Sequence, residues 1–217
     1  ERYRDLGDFR QANDTFIEVA TDLAERALRT ALADAGLEAP DVDFVMFTSV
    51  TGISAPSVDA LLVSRLGLRP DVKRLPSFGL GCVGGAAGIA RVNDYLVGHP
   101  DEVGVLLSVE LCSLTLQRDD ETIANFVATG LFGDGAAAVV MVGEDRAEPG
   151  PRVVDTRSSF FPDTREVIGW NIGGSGFAIT DYVVHKDLGG APALARLRQR
   201  MKQRGLKLLL DFVPNHT

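Results

Sequence analysis

The sequence predicts an α/β domain, layered around a largely internal sheet. Three observations carry that prediction. Short apolar runs of strand length alternate with helical segments up to about residue 112, after which strand-like runs follow one another. The runs VDFVMFTSV (42–50) and VGVLLSVELC (103–112) are apolar almost throughout, as a strand covered on both faces requires. The helical segment after residue 82 is rich in very small residues, so it is expected to be a buried helix lying close to its neighbours.

Taken in order, TFIEVATDLAERALRTALADAG (15–36) repeats apolar residues at helical spacing. Asp14 is placed to cap its start, Glu18 favours the positive helix end, and Gly36 ends it. After the strand at 42–50, Thr51 and Gly52 turn the chain into SAPSVDALLVSRLG, where Pro56 fits an early helical position. VKRLPSFG reads as a strand, VGGAAGIARVNDYLVG as the small-residue helix, and 103–112 as a central strand. QRDDETIANF is a polar loop turning helical towards Phe126, and LFGDGAAAVVMVG (131–143) is a turn followed by a strand. EDRAEPGPR is an exposed turn, VVDTRSSFF a strand, and EVIGWNIGGSGFAI a hairpin or strand pair.

With 217 residues the chain is long enough to bury a sizeable core, and 45% apolar with 24% charged residues is an ordinary globular composition. The net charge of −8 and the lack of a basic block disfavour nucleic acid or an anionic membrane as partner. Two cysteines are too few for a disulfide scaffold, and the apolar runs are too short or too glycine-rich to span a bilayer, so a cytoplasmic protein is expected. Both ends look cut: ERYRDLGDF opens without a leader or first strand, and the chain stops just after a strand-like run, which predicts a fragment.

GLGCVGGAAG (79–88) sets one thiol among glycines. If Cys82 begins its helix, unpaired amides lower its pKa, and the glycines leave room for a thioester and N–H groups for an oxyanion. Spacing alone equally allows a buried cysteine at a tight helix junction. A nucleophilic cysteine also needs a base or cationic partner. His99, His185 and His216 are the candidates, and none is convincingly placed: His99 follows the helix, more than about 20 Å from its start at 1.5 Å per residue.

Residues 8–177 carry FIEVATDLAERA, FTSVTGISAPSVDALLVSRLGLRPDVKRLPSFGLGCVGGAAG, LLSVELCSLTLQRDD and ANFVATGLFGDGAAAVV, in that order. Through them the chain resembles the N-terminal portion of the type III polyketide synthases, the chalcone synthase-like branch of the thiolase fold, nearest the bacterial tetrahydroxynaphthalene synthase type. The resemblance implies a thiolase-like layered fold and an acyltransferase that loads and condenses malonyl-CoA-derived units on a cysteine thioester. Coenzyme A thioesters would be its substrates, with no tightly bound cofactor and no metal, and a homodimer its assembly.

By the same resemblance Cys82 is the nucleophile. Phe132 is a gate between the CoA tunnel and the cavity, and Phe177 in GSGF a second aromatic of that gate. Glu110, Cys112 and Thr115 line the cavity, and Cys112 is characteristic of the naphthalene-forming branch. Each also has a plain structural alternative: Phe132 packing beside a turn, Glu110 a hydrogen-bonded structural carboxylate, Cys112 a core residue at a strand end. Asp134, between two glycines, reads first as a turn residue capping backbone amides. The family's catalytic histidine and asparagine lie in its C-terminal half and have no counterpart in these motifs, so impaired or absent condensation is expected. A noncatalytic truncated or composite protein is the alternative.

The tail changes character. In APALARLRQRMKQRG, Leu194 and Leu197 share one face, the other faces are basic and Gly205 closes the helix, with LKLLLDFVPNHT as strand and loop. This helix–strand unit is of the kind that builds a (β/α) barrel. Residues 178–217 resemble α-amylase superfamily glycoside hydrolases, which implies structural roles for Asp211 and Asn215 and a sugar contact for His216. A carbohydrate-binding or hydrolase remnant is the weaker reading, because by the resemblance the aspartate and glutamate pair of retaining hydrolysis lies further along and is missing here. A degenerate synthase helix and strand is the plain alternative for the tail.

Overall fold

The computed structural model describes residues 8–118, 120–146, 149–160, 168–172, 175–179 and 190–203. Two compact units form, one from Glu1–Leu116 with Phe132–Phe160, the other from Gln117–Leu131 with Phe161–Thr217.

The first unit is built on a four-stranded sheet of β1 (Phe44–Ser49), β2 (Lys73–Phe78), β3 (Val103–Leu111) and β4 (Asp134–Val142), in the order β2-β1-β3-β4. β1 runs parallel to β2 and β3, and β4 runs antiparallel to β3. Every residue of β1 is buried. Its alternate side chains serve two cores: Val45 and Phe47 meet one cluster, Phe44 and Met46 the other. Helices α1 (Phe9–Ala35) and α2 (Val58–Leu66) cover the first face through Phe16, Leu28 and Leu62. Helix α3 (Gly84–Val97) covers the second through Val92 and Leu96. These two covered faces are what the continuous apolar runs require.

Residues 153–160, expected as a strand, form no regular element, and three further details correct the sequence reading. The cap of α1 is Asp8, whose carboxylate accepts the Gln11 N–H, so the helix starts well before Asp14; Gly36 does close it, at φ 66°. Pro56 follows a cis Ala55–Pro56 bond and precedes the cap, Ser57, rather than sitting inside α2. Helix α3 is one-sided in this chain, with Ala86, Arg91, Asp94 and Val97 exposed. Its small residues answer a narrower need. A Cβ on Gly84 would lie 2.8 Å from Thr48 Oγ1, and one on Gly88 would lie 2.4 Å from Leu106 Cδ1. Glycine is required where the helix crosses β1 and β3, because the side chain would overlap the strand's own.

In the second unit, β5 (Ile168–Ile172) and β6 (Ser175–Ile179) pair antiparallel as the expected hairpin, with α4 (Ile123–Leu131) against β6. Helix α5 (Gly190–Gln203) falls where the tail's periodicity places it. The barrel-like fragment expected for 178–217 is not found: α5 is the single element within 180–217 among the described residues, and 204–217 lie outside them. No helix of the described residues is long and apolar enough to cross a membrane.

Candidate active site

The parallel register aligns the C-terminal ends of β1, β2 and β3 at one edge of the first unit. Cys82 follows β2 there, exposed, in the 3₁₀ turn Gly81–Val83 that runs directly into α3. Gly79 and Gly81 adopt φ of 92° and 59°, conformations that a side chain strains, and so bend the chain from strand into helix within a few residues. Sequence reading expected the thiol at the head of this helix, and the 3₁₀ turn is the form that head takes.

Glu110 lies at the end of β3, half-buried, and gathers donors from the end of β1 and the loop that follows it. Val50 N–H reaches Oε1 at 3.1 Å, Thr51 N–H reaches Oε2 at 3.1 Å, and the Thr51 hydroxyl donates to Oε2 at 2.8 Å. Ser49 Oγ adds a longer bond of 3.3 Å. Thr51 also accepts, from the Leu111 N–H at 2.8 Å, so its hydroxyl joins the ends of two strands. Burial raises the Glu110 carboxyl above its ordinary value, and the donors from Thr51, Val50 and Ser49 pull the other way. Read from the sequence, Thr51 has no role beyond a turn. Its partners are 60 residues away in the chain, and no local pattern marks them.

Cys112 and Thr115 share the 3₁₀ turn Cys112–Thr115 after β3, where the Thr115 hydroxyl donates to the Cys112 carbonyl at 2.8 Å. The Cys112 thiol is pushed up to about 12, first by burial and then by the charges of Glu110, Asp134 and Cys82. Asp134 caps an amide, as a residue between glycines was expected to do, but across the sheet. It accepts the Ser113 N–H at 2.8 Å and the Ser113 hydroxyl at 2.5 Å. Phe132, partly buried, lies two residues before it. Cys82, Glu110, Cys112, Thr115 and Phe132 thus all belong to the first unit, whereas Phe177 stands in β6 of the second, paired with Trp170. Asp211, Asn215, His216 and His185 lie outside the described residues.

His99 is at the other end of the sheet. It stacks on Tyr95 at 4.1 Å, Tyr95 stacks on Phe44 at 4.2 Å, and Phe44 opens β1. Among the described residues no histidine therefore accompanies Cys82, and no group of three or more His, Cys, Asp and Glu side chains is placed to hold a metal ion. The arrangement offers an exposed thiol at a helix head, beside an edge carrying carboxylates held by neutral donors.

The model of the chalcone and stilbene synthases' N-terminal domain matches residues 8–146. A 1,3,6,8-tetrahydroxynaphthalene synthase of Streptomyces peucetius subsp. caesius is 56% identical over 88% of this chain and 52% of its own length. The crystal structure of the tetrahydroxynaphthalene synthase from Streptomyces coelicolor A3(2), a bacterial type III polyketide synthase, aligns with TM-score 0.81 and 29% identity over 94% of this chain and 57% of that one. Germicidin synthase from Streptomyces coelicolor aligns with TM-score 0.77 and 28% identity over 89% and 51%. The chain spans about half the length of these relatives. Coverage of 94% cannot be reached within residues 1–177, so the synthase likeness continues into the tail, and nothing supports the glycoside hydrolase reading of 178–217. On the match across most of its first unit, the chain belongs to the chalcone and stilbene synthases, the type III polyketide synthases of thiolase-like fold.

Proposed function

We propose that the chain carries the acyl-loading half of a type III polyketide synthase, with Cys82 as nucleophile toward malonyl-CoA or another acyl-CoA. The observation that supports this most is the exposed Cys82 thiol at the head of α3, with left-handed glycines clearing its approach. The thiolate attacks the thioester carbonyl, a new carbon–sulfur bond forms, the bond to coenzyme A breaks, and the departing thiolate takes up a proton. Helix-head amides favour both the attacking thiolate and the oxyanion. Phe132 gates the approach, the resemblance assigns Phe177 a like role, and Glu110, Cys112 and Thr115 wall the cavity. No tightly bound cofactor is needed, a cytoplasmic location follows from the substrate class, and the assembly is a homodimer. Condensation calls for the histidine and asparagine that the family resemblance assigns to the C-terminal half.

Incubation with malonyl-CoA, followed by mass measurement of the Cys82 peptide, tests the loading step. The expected result is an acyl adduct on Cys82 that is absent in Cys82→Ala. A folded protein that shows no adduct overturns the reading. That outcome would favour a noncatalytic chain, which the distance of His99 from the C-terminal strand ends already supports.

A further inference from the structure

Cys112 turns off β3 between two anchored carboxylates. Glu110 stands two residues before it, fixed by Val50, Thr51 and Ser49. Asp134 pairs with Leu111 across the strands and is fixed by both polar groups of Ser113, the residue after Cys112. Every one of these bonds is accepted by a carboxylate oxygen from a neutral donor. The charged and titratable groups facing Cys112 are therefore Glu110 from β3, Asp134 from β4 and Cys82 from the turn before α3. Among the described residues, neither Glu110 nor Asp134 is held by a cation.

A synthase with two thiols at one edge has a selectivity problem, since an acyl group loaded on the wrong sulfur is held away from the rest of the machinery. We propose that Glu110 and Asp134 are positioning residues that keep Cys112 out of acyl transfer, so that Cys82 is the single thiol offered to a thioester. The inference rests on the reading of Cys82 as nucleophile, and it assigns the two carboxylates a task besides lining a cavity. Thioesters are attacked by thiolate, and two fixed negative charges beside a half-buried sulfur oppose its formation. Burial is the first cause of the upward displacement of the Cys112 thiol, and the two carboxylates add to it.

The test is the rate of iodoacetamide labelling of each cysteine peptide as a function of pH, read by mass spectrometry on the chain as it stands. Wild type should label at Cys82 and hardly at Cys112. Asp134→Asn keeps an amide oxygen for the Ser113 N–H but removes the charge. It should speed Cys112 labelling several-fold, at most about the tenfold that one unit of thiol pKa represents, and move its pH midpoint down. The Cys82 rate should not change. Glu110→Gln should act in the same direction, and Asp134→Glu should restore slow labelling. Equal labelling of both thiols in wild type overturns the proposal. So does an unmoved Cys112 midpoint in folded Asp134→Asn, including the case where labelling rises equally at every pH, since that reports loosening alone. Failure of malonyl-CoA to load Cys82 leaves this labelling pattern intact, so the two readings fail separately.

Discussion

At the N-terminal ends of the parallel strands Asp43 faces Arg69 and Glu102 faces Lys73, whereas at the C-terminal ends Glu110 and Asp134 are held, among the described residues, by neutral donors. The same sheet therefore treats its carboxylates in two ways. At the first end charge is cancelled: Lys73 bonds Glu102 at 2.8 Å and Tyr95 at 2.6 Å, and the Tyr95 hydroxyl donates to Glu102 in turn. At the second end, among the described residues, no cation pairs with either carboxylate. The cation-paired end ties the sheet together, while the neutral-donor end preserves an electrostatic bias that a nearby lysine or arginine would erase.

Asp43→Ala should break the first end most severely. It strips Arg69 of one partner and leaves the buried Val103 N–H, now bonded to Asp43 at 2.8 Å, without an acceptor. The expected loss is about 3 kcal/mol in a denaturant titration, near the upper range for a hydrogen bond to a charged group with its orphaned donor. Recovery by Asp43→Asn to within about 1 kcal/mol would show that the hydrogen bond outweighs the ion pair there.

Thr51→Val makes the corresponding cut at the second end. It removes the hydroxyl that Leu111 donates to and that Glu110 accepts from, in a side chain of the same shape. A loss of about 1.5 kcal/mol is expected, with Thr51→Ser restoring most of it. A larger loss than that of Asp43→Ala would reverse the ranking of the two ends.

The smallest effect, and the sharpest contrast, is in pH dependence. Burial works to raise the Glu102 carboxyl, but hydrogen bonds from Lys73 and Tyr95 outweigh it and hold it below its ordinary 4.5. Its contribution is therefore present above that value and lost as pH falls through the folded one. Glu110 is displaced upward by burial from the same 4.5, so its contribution is present at low pH and lost as pH rises through its folded value. Denaturant midpoints from about pH 3 to about pH 7 should show Glu102→Gln flattening the acid limb. Glu110→Gln should instead remove a decline on the rising side. Parallel curves for the two variants would mean that the ends do not differ.

The sequence revealed what is local and withheld what is not. The two buried faces of β1 were legible in an unbroken apolar run, and the turn that carries Cys82 in the five glycines of residues 79–88. The start of α1 was not, because Phe9–Asp14 is mostly polar and lacks the periodicity that marks the rest. Glycines 84 and 88 signalled close packing correctly, but the opposite face of α3 is open, since smallness at a crossing says nothing about the helix's other side. Glu110 was singled out only through the family resemblance. Its partners, Ser49 to Thr51, were invisible because the fold alone brings them together.

The clasp between Asp134 and Ser113 has a consequence of its own. The chain leaves the first unit after Leu116 and returns to it at Phe132, and the clasp joins the strand ends on either side of that excursion. With both feet of the detour pinned to β3 and β4, its length and content are uncoupled from the register of the sheet, because lengthening a closed loop costs little. The register of β3 and β4 should therefore tolerate changes of length between residues 117 and 131.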